Sequence, residues 1–176
     1  MLFWGVATGL AVVVPASAQA VEQQKLMSVL TLNLARFTDW PEAAFADEDA
    51  RLNLCVIGGS LLQQSFEEVN NTQVNGRTLQ VINLSRLRNM ERCQILYVSG
   101  LEQNILLQLL LEMKHKPLLT IGENLDFVRS GGMVALETVD GKIQLNINLD
   151  SLKQSGLVIS SRILKLARII QESDKP

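Results

Sequence analysis

The sequence predicts a three-layer α/β domain, a mixed β-sheet flanked by helices with a β-hairpin in its C-terminal half. Three observations predict it. β-prone runs alternate with amphipathic stretches between Leu52 and Ile121. Cys93–Val98 is an almost unbroken apolar run, the pattern of a strand covered on both faces. Asp140-Gly141 joins two further β-prone runs and supplies the positive φ angles of a two-residue hairpin turn.

Taken in order, Leu2–Val14 is uncharged and apolar, stops at Pro15, and is followed by the small-x-small triplets Ala16-Ser17-Ala18 and Ala18-Gln19-Ala20. That is the pattern of a cleaved secretory signal over residues 1–20, too short for the roughly 20 apolar residues of a membrane-spanning helix. Residues 21–176 are then expected to form a single domain. Glu22–Trp40 reads as an amphipathic helix with Leu26, Val29, Leu30, Leu34 and Phe37 facing inward, ended by Pro41. An acidic, alanine-rich loop follows to Arg51. Leu52–Ile57 is a strand, Gly58-Gly59 a turn, and Ser60 is expected to cap a helix through Val69. Asn70-Asn71 and Asn75-Gly76 mark a loop.

Thr78–Leu84 and Cys93–Val98 read as strands, Leu101–Met113 as a leucine-rich helix stopped by Pro117, and Leu118–Ile121 as a strand. Gly122–Ser130 is a loop or short helix. Met133–Val139 and Lys142–Leu149 form the hairpin, the second strand placing Ile143, Leu145, Ile147 and Leu149 on a buried face and Lys142, Gln144, Asn146 and Asn148 on a wet one. Asp150–Gln154 is a helical turn. Ser160–Gln171 is expected to be a helix with Ile163, Leu164, Ala167 and Ile170 inward.

With 47% hydrophobic and 19% charged residues the chain has the material for a core and is no disordered tail. Its net charge of −2 gives no field to attract a polyanion, which excludes a general nucleic-acid binder. Catalytic constellations are missing. Gly58-Gly59-Ser60 lacks both the G-x-G-x-x-G spacing and the lysine of a phosphate loop, and a plain turn explains it. The Cys93–Val98 strand ends at Ser99 where a phosphoacceptor aspartate would be needed. His115, the one histidine, sits between two lysines with no metal ligand at the required spacing. No G-x-S-x-G turn is present, and Glu67-Glu68 and Asp47-Glu48-Asp49 read as solvated surface. No catalytic residue, cofactor or metal is therefore expected, and the chain reads as no enzyme.

Two cysteines remain. An even count in an exported chain favours a Cys55–Cys93 bridge, the alternative being two small buried hydrophobes. The spacing excludes C-x-x-C redox catalysis.

Several segments together resemble YfiR-like periplasmic proteins: Asn33 to Pro41 (NLARFTDWP), Leu54 to Gly58 (LCVIG), Arg92 to Ser99 (RCQILYVS), Gly131 to Val134 (GGMV), Ile147 to Leu149 (INL) and Gly156 to Ala167 (GLVISSRILKLA). Their order and spacing carry the resemblance from Leu26 to Ala167. It implies a periplasmic regulator, often a homodimer, that binds the periplasmic sensor domain of an inner-membrane diguanylate cyclase and represses it. Lower cyclic di-GMP and control of biofilm formation follow from that role, and an outer-membrane lipoprotein partner relieves the repression. By the same resemblance Cys55 and Cys93 occupy the family's shared disulfide positions, whereas the second cysteine pair of some relatives is absent. Trp40, Arg129 and Arg162 are the expected partner contacts. Trp40 also suits a core plug, and isolated arginines are commonly just solvated. A different class of function, a periplasmic small-molecule binding module using a crevice at the strand ends, is the competing expectation.

Overall fold

The computed structural model describes residues 16–47 and 50–171. Most of the expected leader lies outside the described residues, and Ala16 to Ala20 begin the first helix. The chain runs α1 (Ala16–Arg36), β1 (Thr38–Asp39), β2 (Leu52–Ile57), α2 (Ser60–Glu67), β3 (Gln73–Val74), β4 (Arg77–Asn83), β5 (Ile95–Val98), α3 (Gln103–Met113), β6 (Leu119–Gly122), α4 (Leu125–Arg129), β7 (Val134–Val139), β8 (Lys142–Asn148), α5 (Leu149–Gln154), β9 (Val158–Ile159), α6 (Ser161–Leu164) and β10 (Arg168–Ile170). Eight strands form one mixed sheet in the order β10-β8-β7-β6-β5-β2-β4-β3, and β1 and β9 pair separately. The expected α/β class and its late hairpin are thus present.

Strand alternation builds two cores. Leu54, Val56, Ile95 and Tyr97 point to the face that carries Met27, Leu34 and Ala35 of α1 and Leu62 and Phe66 of α2. Cys55, Ile57, Leu96 and Val98 point to the opposite face, against Leu106, Leu109, Leu110 and Met113 of α3 and Phe127 and Val128 of α4. Three layers result because β2, β5, β6 and β7 are parallel neighbours, and parallel connections carry helices over both faces. The Asp140-Gly141 turn has φ of 49° and 73°, and Val139 pairs with Lys142 across it. Asn75-Gly76, at 49° and 83°, makes a second such turn between β3 and β4, a hairpin where only a loop was expected.

Several expectations about element bounds and caps need correction. Helix α1 stops at Arg36, four residues before Trp40, because the Thr38 hydroxyl donates to the Leu34 carbonyl at 2.7 Å and the chain then pairs with β9 (Thr38 with Ile159). Ser60 is no cap. Gly59 holds that position, and Ser60 is the first helical residue. Cys93 follows a 3₁₀ turn, Met90–Arg92, instead of opening β5. The expected C-terminal helix is a single turn, α6, with Ser160 accepting from the Arg162 N–H, after which the β-branched pair Ile169-Ile170 runs parallel to β8.

The polar side of β8 is also not wet at its C-terminal end. Asn146 and Asn148 are buried. Asn146 donates to Glu137, while Asn148 donates to the Val128 carbonyl and accepts from the Ser151 N–H, both at 3.0 Å. Helix α4 packs on that face and converts a solvent-facing pattern into an interior one, in which Asn148 is hydrogen-bonded on both sides while the Asn146 Oδ1 has no partner among the described residues.

Candidate interaction surface

Helix α1 carries apolar residues on two sides. Its buried side is Met27, Ser28, Thr31, Leu32, Leu34 and Ala35, spaced as one helical face. Ser28 satisfies its hydroxyl locally by donating to the Lys25 carbonyl. The stripe expected to face inward mostly points out: Leu26 is 45% exposed, Val29 47% and Phe37 36%, with Leu30 half-buried. The buried face mixes the small Ser28, Thr31 and Ala35 with Met27, Leu32 and Leu34, while Leu26, Val29 and Phe37 are turned to solvent. A helix apolar on two sides has a second surface available for a partner.

The C-terminal end of that stripe forms one wall of an open groove of about 810 Å³. Leu30, Leu34 and Phe37 line it from α1, Ile143 and Leu145 from β8, and Ile163 and Leu166 from the α6–β10 segment. Leu166 is 78% exposed. Among the described residues the charged members of the lining are Lys142 and Arg168, both cations, in a chain whose net charge is −2. The groove exists because α6 is short: the chain leaves it, passes Leu166 and joins β8 only at Asn146, leaving Lys142–Leu145 with no strand neighbour on its outer side among the described residues.

The expected site residues are scattered. Cys55 and Cys93 are joined, with Cα atoms 5.8 Å apart, under the α3–α4 face. Trp40 is half-buried, its indole N–H donating to the Gln94 carbonyl at 3.1 Å, and it lines a separate cavity of about 200 Å³ with Asp39, Glu42, Phe45 and Arg77. Arg77 lies over the Phe45 ring, 3.7 Å from its centre. Arg129 ends α4 and faces Asp126 at 3.6 Å, both exposed. Arg162 is exposed on α6, one residue before groove-lining Ile163. Sequence reasoning missed Lys142, Leu166 and Arg168. The β-branched Ile169-Ile170 was the available signal that the last helix would break and open the groove.

At the strand ends the crevice beside Ser99 and Glu123 holds only about 60 Å³, against roughly 300–1,000 Å³ for ordinary ligand pockets. It is filled by protein contacts. Glu123 accepts from the Tyr97 and Ser99 hydroxyls at 3.1 and 2.8 Å. Burial, then the Glu123 charge, pushes the Tyr97 hydroxyl well above the usual phenol range. A Cβ on Gly58 would overlap Leu62, so the glycine turn at β2 serves the packing of α2. Among the described residues no group of three His, Cys, Asp or Glu side chains could hold a metal, and no helix is long and apolar enough to cross a membrane.

A family profile described as YfiR/HmsC-like matches residues 24–168, almost the whole described structure. The chain belongs to the YfiR/HmsC-like family. This YfiR/HmsC-like chain also superposes on the crystal structure of a conserved domain protein from Vibrio cholerae O1 biovar El Tor with a TM-score of 0.52 and 12% identity. The match covers 83% of this chain and 59% of that one, so the chain spans less than two thirds of that protein's length, and the likeness concerns the fold alone. Two family-like segments, Asn33–Pro41 and Gly156–Ala167, meet in space as the β1–β9 pair. Membership supports a periplasmic regulator in cyclic di-GMP signalling, and a disulfide fits an oxidising compartment.

Proposed function

We propose that this YfiR/HmsC-like protein is exported with loss of residues 1–20, folds as one domain over residues 21–176, and represses an inner-membrane diguanylate cyclase by binding its periplasmic sensor domain. Cyclic di-GMP falls as a result. The observation that carries the reading, beside family membership, is the exposed apolar groove between α1, β8 and the α6–β10 segment. The protein acts by contact: it stabilises the inactive state of its partner and shifts a two-state equilibrium.

The required energy is small. A tenfold shift needs about 1.4 kcal/mol of differential affinity. Full burial of one exposed leucine is worth about 1.5–3 kcal/mol before the costs of association, so covering Leu166 in one partner state only is enough in magnitude. An outer-membrane lipoprotein relieves repression by competing for the protein. A second copy fits on Leu26 and Val29, the part of the α1 stripe beyond the groove, which gives a homodimer. Of the other contact candidates, Arg162 flanks the groove, while Trp40 and Arg129 lie apart from its lining and would serve a second contact area.

Chemical crosslinking in intact cells followed by capture of the protein tests the reading. A membrane cyclase is the expected partner, and its recovery should drop when reductant opens the Cys55–Cys93 bridge. Capture of soluble envelope proteins without any cyclase would contradict it.

A further inference from the structure

We propose that the groove receives an extended, acidic-flanked apolar segment of the partner, which adds as a strand to the open edge of β8. The inference rests on the regulatory reading above for the identity of the partner, and on three local features for the mode of binding. Strand β10 pairs with β8 only from Asn146 to Asn148, so Lys142–Leu145 presents an edge inside the groove. Val139 and Lys142 close a two-residue turn, and antiparallel alternation then aims the backbone groups of Ile143 away from β7 and into the groove. An open edge of this kind pairs readily with another chain, and apolar neighbours at Leu30, Phe37 and Leu166 receive alternate side chains of the added strand.

Charge selects the occupant. Lys142 and Arg168 flank the edge, with no carboxylate in the lining among the described residues, so glutamate or aspartate beside the apolar run is attracted. A second copy of this chain in the same place would bring two more cations against these two, which disfavours self-pairing.

The test uses the mature protein with its disulfide intact and a short labelled peptide in which Val-Thr-Val-Thr-Val lies between paired glutamates. Saturable binding at low salt is expected, about tenfold or more tighter than for the same peptide flanked by lysines. Methylating alternate backbone nitrogens along one edge of the peptide should abolish binding on that edge only. The Lys142→Glu/Arg168→Glu double variant, both positions being exposed, should keep its urea midpoint and reverse the charge preference. Equal binding of the methylated peptides, no charge preference, no saturable binding, or a double variant that merely dissociates a dimer would each overturn the proposal. Cyclic di-GMP levels in deletion cells separate the two readings: unchanged levels with peptide binding as expected remove the cyclase role and keep the strand pairing, and the opposite pair of results does the reverse.

Discussion

The indole of Trp40 is tethered to the backbone of Gln94. Gln94 in turn ties three segments together, its side chain accepting from the Asn53 N–H and donating to the Ala44 carbonyl, both at 2.9 Å. Trp40→Phe keeps an aromatic side chain, a smaller one, and removes the donor. It should lower stability by about 1 kcal/mol in urea unfolding, with partner affinity unchanged if Trp40 serves as a plug. A loss of affinity larger than the loss of stability would instead make Trp40 a contact.

The bridge between Cys55 and Cys93 spans a sequence separation of 38. In the chain-entropy model a loop of this size stabilises by about 4 kcal/mol, a large share of the roughly 5–15 kcal/mol typical of a domain. Cys55→Ala/Cys93→Ala should therefore shift the urea midpoint strongly downward, and reductant should have no further effect on the double variant.

Tyr97 makes an alkaline prediction. Its folded pKa lies above the unfolded value, so the protonated phenol stabilises the fold fully below about pH 10. As pH rises past the unfolded value, the unfolded chain loses its proton first and stability falls by up to about 1.4 kcal/mol per pH unit. Urea midpoints measured from pH 8 to 11 should decline more steeply for the natural protein than for Tyr97→Phe, which keeps the Ser99–Glu123 hydrogen bond.

Asn148 satisfies two backbone groups from inside the protein, the Val128 carbonyl and the first-turn N–H of Ser151. Asn148→Ala strands the carbonyl and removes the α5 cap, for an expected loss of about 2–3 kcal/mol. Asn148→Asp retains the acceptor but buries a charge without a donor for Val128. It should be at least as damaging at pH 7, which thermal unfolding would show.

The sheet was the most legible part of the sequence. Leu52–Ile57 has the same bounds in the structure, and Asp140-Gly141 turns where it should, because strand alternation and positive-φ turns are written locally. The groove was not legible. Its α1 wall reads as core because Leu30, Leu34 and Phe37 belong to one helical stripe with Leu26 and Val29, and periodicity alone cannot say which of two faces meets the sheet. The structure buries the face of Met27, Thr31, Leu32 and Ala35 and leaves Leu26, Val29 and Phe37 exposed. Its other wall was hidden by the helix-like run from Ser160, in which pairing of Ile169 with Ile147 overrides local propensity. Of the expected site residues, the cysteines were legible as a pair, whereas Lys142, Leu166 and Arg168 acquire a shared place only through that pairing.

Cellular cyclic di-GMP in three strains tests the central claim most directly: a deletion, the deletion carrying the natural gene, and the deletion carrying Leu166→Asp. Leu166 is largely exposed, so the aspartate should alter stability by no more than about 0.5 kcal/mol. The nucleotide should rise on deletion, return with the natural gene and stay high with Leu166→Asp. A level unmoved by deletion would contradict repression, and full rescue by Leu166→Asp would contradict the groove.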